Sequence, residues 1–394
     1  MAELAEHVGP PRVAVVRQHY VPQDSRVARA VEALAATGAE VDVWCLRAPG
    51  QPRRERSGRV TVHRLPLRHR RGTKLGYLVE YGAFGVLATL VLTVAQLRRR
   101  YRLVEVHSLP DALVFAAAPA RLLGARVLLD LQECMPEFFA TRFGADHPAV
   151  GALAAIEQRA IAFADRVITP TEQMRAVFVG RGAPPGRITT VMDGADPAVF
   201  APPADDGRRG ARFTVVCHGT VEPHYGLDTV VRAIDLVRRG VPAVRLEVIG
   251  DGSDLPRLRG LVADLGLDDH VGFSGGFLPV GDLVAALAAA DVGVVAMVRD
   301  PFRDVALPGK VFDFVAMGLP VVASRTRSME ETFGPDAVEL FTSGDPEELA
   351  RALRRLHDDP ARRARITTEA ARVVEPLRWE RQRATYLAVV DELV

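Results

Sequence analysis

Residues 213–238 read FTVVCHGTVEPHYGLDTVVRAIDLVR. A short apolar run ends at His218, a turn opens on Gly219, and helical spacing begins at Leu227. A strand–turn–helix unit of this kind buries its strand in a parallel sheet. Glycine at the strand end lets backbone approach an anionic group, and the helix start offers free N–H groups at the positive end of a dipole. Many turns look like this one, so the surrounding rhythm decides. Further strands are predicted at 244–249, 271–273, 292–297 and 320–323. Upstream, strands at 12–16, 41–46, 103–107, 126–131 and 166–169 alternate with helices at 25–37, 111–123 and 149–164. The stretch 201–210, APPADDGRRG, separates the two series as a linker rich in Pro, Gly and charge. The expected fold is α/β, with two Rossmann-like doubly wound domains facing across a cleft. Ligands then belong at the carboxyl ends of the strands.

Bulk properties narrow the function classes. A length of 394 residues suits two or three domains. Fifty basic against forty-nine acidic residues leave a formal charge of +1, so no nucleic-acid partner is expected. Cys45, Cys134 and Cys217 lie far apart in an odd count, which suits a reducing cytosol better than a disulfide framework. The opening MAELAEHVGP lacks the apolar core of a signal peptide. A cytoplasmic protein is therefore expected. Residues 76–97 approach the length of a membrane span. They include Glu80, Tyr81 and Gln96 and keep the strand–helix rhythm, which predicts a long core helix. Before them, residues 47–74 carry ten Arg or Lys against Glu55 alone. That region reads as a solvated loop and strand, or as a patch for peripheral membrane contact or a phosphorylated acceptor.

Chemistry concentrates in the second half. Gly250-Asp251-Gly252 and Phe273-Ser274-Gly275-Gly276 end two more strands. Three glycine-bearing strand ends in one domain describe a nucleotide cleft better than unrelated turns do. The strongest local signal is ALPGKVFDFVAMGLP at 306–320. Only Lys74 and Lys310 are lysines among the fifty basic residues, and asparagine is absent. A first-turn cation does not complement the helix dipole unless an anion binds there. Lys310 is thus a candidate for a diphosphate. Asp313, three residues on, shares its face and would take a ribose hydroxyl. The plainer reading is a surface lysine in an i, i+3 ion pair.

Taken in order, these motifs resemble the family-4 retaining glycosyltransferases of the GT-B fold, over nearly the whole chain. The turn from His218 to Asp228 is similar to the family's first donor-domain turn, and Leu307-Pro308-Gly309-Lys310-Val311-Phe312-Asp313-Phe314 to its Pro-x-Lys-x-Phe-Glu-Tyr signature. Asp24-Ser25-Arg26-Val27, His107-Ser108-Leu109-Pro110-Asp111 and Leu129-Asp130-Leu131-Gln132-Glu133 resemble acceptor-domain strand ends and helix starts. Val191-Met192-Asp193-Gly194 resembles the hinge, with Asp193 where Asn is usual. The resemblance implies an acceptor-binding domain at 1–200, a donor-binding domain at 211–375 and a returning helix at 376–394. It departs at Thr220 and Tyr225, where the family carries Arg and Lys, and at Gln132, where it carries His.

The resemblance implies front-face transfer with retention, from a nucleotide-diphosphate sugar to a hydroxyl of a small molecule, glycan or lipid-linked glycan. It implies no cofactor and no metal. The donor would meet Gly219, Thr220, His224, Gly250, Asp251, Gly252, Phe273, Gly276, Leu307, Pro308, Gly309, Lys310, Val311 and Asp313. Gln132, Glu133 and His107 would line the sugar and acceptor side, unless His107 is a buried strand-end histidine. Two rivals come from other classes: a catalytically silent nucleotide-sugar-binding partner, suggested by Gln132, and a nucleotide-sugar epimerase, whose paired acid and base residues have no obvious place.

Overall fold

The computed structural model describes residues 10–21, 23–67, 74–194, 199–201 and 212–394. The expected linker at 201–210 lies, apart from Ala201, outside them. The chain forms two units, Met1–Met192 with Gln382–Val394, and Asp193–Arg381.

In the first unit the strands are β1 (Arg12–Arg17), β2 (Glu40–Leu46), β3 (Arg54–Ser57), β4 (Val60–Leu65), β5 (Leu103–His107), β6 (Arg126–Asp130), β7 (Arg166–Thr169) and β8 (Ile188–Thr190). They form one sheet in the order β3-β4-β2-β1-β5-β6-β7-β8. Among the described residues only β3 runs antiparallel to its neighbour. Its helices are α1 (Ser25–Ala36), α2 (Lys74–Arg99), α3 (Ala118–Leu122), α4 (Met135–Phe143), α5 (Pro148–Phe163) and α6 (Glu172–Gly180). Helices on both faces leave the central strands no solvated side, and Val13, Ala14, Val15 and Val16 of β1 are all buried.

The second unit holds β9 (Phe213–His218), α7 (Leu227–Val237), β10 (Val244–Ile249), α8 (Leu255–Asp264), β11 (Val271–Phe273), α9 (Val280–Ala288), β12 (Val292–Val295), α10 (Lys310–Ala316), β13 (Val321–Ser324), α11 (Arg327–Ala337), β14 (Glu339–Phe341), α12 (Pro346–Asp358) and α13 (Pro360–Val374). The sheet is parallel in the order β11-β10-β9-β12-β13-β14. Strand order reverses between β9 and β12, the switch point where a doubly wound sheet opens a crevice at its carboxyl end. The last helix, α14 (Trp379–Asp391), contributes Gln382 onward to the first unit.

Two expectations need correction. The helix expected at 111–123 is a 3-10 turn, Asp111–Ala117, followed by α3. Pro119 falls at its start, where its missing N–H costs nothing, so the α-helix begins there rather than running through. The long helix expected to be core is buried on one face only. Phe84, Ala88 and Leu92 are fully buried, whereas Val79, Val86, Leu90, Val94 and Leu97 are each about half exposed or more, between 49% and 65%.

Candidate active site

In the second unit the chain leaves β9 at His218 and turns at Gly219, whose φ is +100°. The loop after β9 is pinned to the loop after β10: Gly219 N–H donates to the Ile249 carbonyl at 2.8 Å and Val221 N–H to the Asp251 carbonyl at 2.9 Å. This close approach accounts for Gly250. A Cβ built there would stand 1.8 Å from the Gly219 carbonyl oxygen, at a φ of +154°. Gly252 is pressed against the Val221 carbonyl in the same way. Both glycines were expected to approach the donor, yet their lack of a side chain is required by the neighbouring loop. Gly250→Ala is therefore expected to destabilise the unit by about 1–3 kcal/mol, read as a lower denaturant midpoint at unchanged slope.

Lys310 opens α10, with Gly309 as its N-cap. Its stem lies over Gly219, where an added Cβ would sit 2.6 Å from Lys310 Cε. Its ammonium lies 4.0 Å from the centre of the Tyr225 ring. Burial pulls its pKa down to about 8, against the favourable charge of Asp313. An aromatic face is worth about 0.5–2 kcal/mol to a partly desolvated cation. Tyr225, which takes a position where the family has a cation, thus steadies the one that remains. Among the described residues Lys310 does not close the i, i+3 ion pair with Asp313 that the plainer reading offered, although that carboxylate still favours its charge. Asp313 lies instead 3.6 Å from His218 Nε2. Burial, helped by Lys310, pushes the His218 pKa down to about 4, so this imidazole is neutral near pH 7.

Cys217, His218, Gly219, Thr220, Val221, Tyr225, Lys310 and the end of β12 through Met297 line one hollow at the switch point. Of the residues expected at the donor, Gly219, Thr220 and Lys310 are in it. His224 packs its ring against Tyr225 at 4.5 Å, and Leu307, Pro308 and Gly309 form the approach to α10. Val311 is fully buried and Phe273 packs on the core beneath the Arg259 guanidinium, so neither side chain faces the hollow. Gly276 accepts a hydrogen bond from Ser274 Oγ at 2.6 Å, and that hydroxyl in turn accepts from Gly250 N–H. Asp251 turns back to accept from Gly252 N–H. Both residues brace the rim rather than the hollow. His218 was missed as a lining residue because its burial depends on Phe314, which packs edge-on against it from α10.

In the first unit, His107 ends β5 with no solvent exposure. Nδ1 donates to Asp130 Oδ2 at 2.8 Å, and Nε2 stands 3.1 Å from Glu105. Burial disfavours its charge, but the two carboxylates outweigh it and push the pKa up to about 9. His107 lies buried between two carboxylates that favour its protonated form, which matches the buried strand-end histidine rather than a place beside the sugar. Arg26 holds Asp130 with two bonds of 2.7 and 2.8 Å, and Tyr386 of α14 donates to Glu105 at 2.6 Å. Arg26 and Asp130 fall within motifs already read from the sequence, whereas Glu105 and Tyr386 do not, since partners 281 residues apart leave no local signal. Gln132 is half-buried beside this network, its amide donating to Asp130 at 3.3 Å and its backbone N–H to Ser108 Oγ at 3.0 Å. Glu133 is half-buried too, and burial raises its pKa although Arg17 opposes the shift.

Two Rossmann-like units, one with a lysine-bearing hollow at its switch point, define the GT-B class of glycosyltransferase. Residues 23–194 match the glycosyl transferase 4-like domain, and residues 212–359 match the glycosyl transferases group 1 domain. The GDP-mannose-dependent alpha-(1-6)-phosphatidylinositol monomannoside mannosyltransferase of Mycolicibacterium smegmatis is 30% identical over 280 residues, 68% of this chain and 72% of that protein. The 2-deoxystreptamine glucosyltransferase of Streptomyces kanamyceticus is 28% identical over 357 residues, 85% of this chain and 89% of its own length. A sucrose-phosphate synthase structure from Thermosynechococcus elongatus aligns with a TM-score of 0.76 at 22% identity, over 97% of this chain and 99% of that one. Anabaena Alr3699/HepE in complex with UDP aligns with a TM-score of 0.74 at 16% identity, over 97% and 100%. At such identities the structures establish the fold alone. The chain belongs to the family-4 glycosyltransferases of GT-B fold, and it is a nucleotide-sugar glycosyltransferase.

Proposed function

We propose that this chain moves a hexosyl or deoxyhexosyl group from a nucleoside-diphosphate sugar to an acceptor hydroxyl in the cytoplasm, with retention and without a divalent metal. The observation that carries this reading is Lys310, a part-buried ammonium stacked on Tyr225 and laid over Gly219 at the switch point. As the bond from the anomeric carbon to the diphosphate oxygen breaks, negative charge grows on that oxygen. A fixed ammonium in a partly desolvated hollow is well suited to stabilise it. The acceptor hydroxyl then bonds to the anomeric carbon, and its proton passes to the departing diphosphate. Asp313 would take the ribose, with Gln132 on the sugar side. Glu133, its pKa raised by burial, would orient the acceptor hydroxyl while that proton leaves. One relative's name specifies a phosphatidylinositol monomannoside acceptor, which favours a lipid-linked glycan over a free sugar. The silent-partner and epimerase readings draw no support from the relatives.

The test is incubation with GDP- and UDP-sugars in the presence of a chelator. Slow release of the nucleoside diphosphate, with the α-configuration kept in the hydrolysed sugar by NMR, is the expected result. Release that stops with chelator and returns with magnesium or manganese would overturn metal independence. Release of the inverted sugar would overturn retention.

A further inference from the structure

Helix α2 presents an apolar stripe that the first unit does not cover. Val79, Ala83, Val86, Leu90, Val94 and Leu97 recur at helical spacing on its exposed face. At 1.5 Å per residue the stripe is roughly 27 Å long. Leu122 and Leu123, at the end of α3, are 88% and 50% exposed, and α3 packs against α2. The opposite face of α2 is committed to the unit through Phe84, Ala88 and Leu92. The helix is therefore placed to lie along an apolar phase with one side, not to cross it.

Charge selects what that phase is. Among the described side chains of α2 the one acid is Glu80, which is buried and accepts from Gln18 at 3.2 Å. Arg98 and Arg100 are exposed at the helix end, without ion pairs among the described residues. A groove beside them is lined by Trp44, His63, Leu90, Val94, Arg98 and Arg99. Trp44 stacks on His63 at 4.2 Å between ring centres. On the sheet, His63 is paired with Arg54, so that exposed arginine flanks the same groove. The nearby acid Asp42 is already taken by His63, Arg99 and Tyr101. A second copy of this chain would have to match these arginines with acids, and none of the described side chains on the exposed face of α2 is acidic.

We propose that this face of α2 seats the protein on an anionic lipid bilayer, the apolar stripe entering the acyl boundary and Arg54, Arg98 and Arg100 meeting headgroup phosphates. This goes beyond the transfer reaction and does not depend on it. The test is co-sedimentation of the full chain with vesicles of phosphatidylcholine alone, or with about one third phosphatidylglycerol. The chain should pellet with the anionic vesicles, stay in solution with the neutral ones, and be released by salt. Arg98→Gln with Arg100→Gln should weaken binding at least about tenfold, on the scale of one kcal/mol per arginine. Leu90→Ser with Val94→Ser should weaken it comparably, and both double variants should keep the melting temperature and the affinity for nucleoside diphosphate. Failure to pellet with anionic vesicles overturns the proposal. So does a dimer in light scattering that the serine variant turns into a monomer, which would make the stripe an interface between copies.

Discussion

His107→Ala is expected to destabilise the first unit by about 3–5 kcal/mol, because it strands a buried carboxylate pair. Glu105 would keep only the Tyr386 hydroxyl, and Asp130 only Arg26 and the Gln132 amide. The pH dependence separates this structural role from a catalytic one. The folded-state pKa of His107 is raised from its ordinary value of 6.5 to about 9 by the two carboxylates. Its stabilising contribution is thus complete below 6.5, falls as the pH rises, and is gone above about 9. The wild-type chain should lose stability relative to His107→Ala across that window in urea titrations. A variant with wild-type stability at pH 6 would remove the imidazolium from the account.

Lys310→Ala is expected to weaken nucleoside-diphosphate binding by about 1.5–3 kcal/mol, the scale of a charge-assisted hydrogen bond. The fold should hold, since the side chain lies over Gly219 and Tyr225 on the wall of the hollow rather than in the core of the unit. Tyr225→Leu should weaken the same binding by a smaller amount, by freeing the lysine rather than removing it. Calorimetry on both variants would rank the two effects. Equal affinity in wild type and Lys310→Ala would take the lysine out of the donor site.

The parallel architecture was legible because buried strands carry unbroken apolar runs and their helices carry one apolar face. Lys310 was legible for a different reason: a lysine in an arginine-biased chain, at a helix start that an unpaired cation does not favour. Strands β3, β8 and β14 carry too little pattern to place from the sequence: each lies at a sheet edge, and β3 with its neighbour β4 falls in the basic stretch read as a solvated loop and strand. For Gly250 the structure adds a requirement that the sequence does not show, since a glycine required by a neighbouring carbonyl looks in sequence like one required by a phosphate. The face of α2 could not be assigned either. Its residues are apolar nearly all round, and only the sheet decides which of them are covered.

The central claim is that a protonated Lys310 binds the donor diphosphate, and calorimetric titration of the unmodified chain with GDP and UDP from pH 7 to 9 tests it most directly. The ammonium is the binding form, and in the free protein it is lost as the pH passes about 8. Affinity for the preferred nucleotide should therefore fall roughly tenfold between pH 7 and 9, with proton uptake on binding. Lys310→Arg should bind with no such slope, its guanidinium staying charged throughout. A wild-type affinity that is flat over this range, or no binding of either nucleotide, would contradict the account.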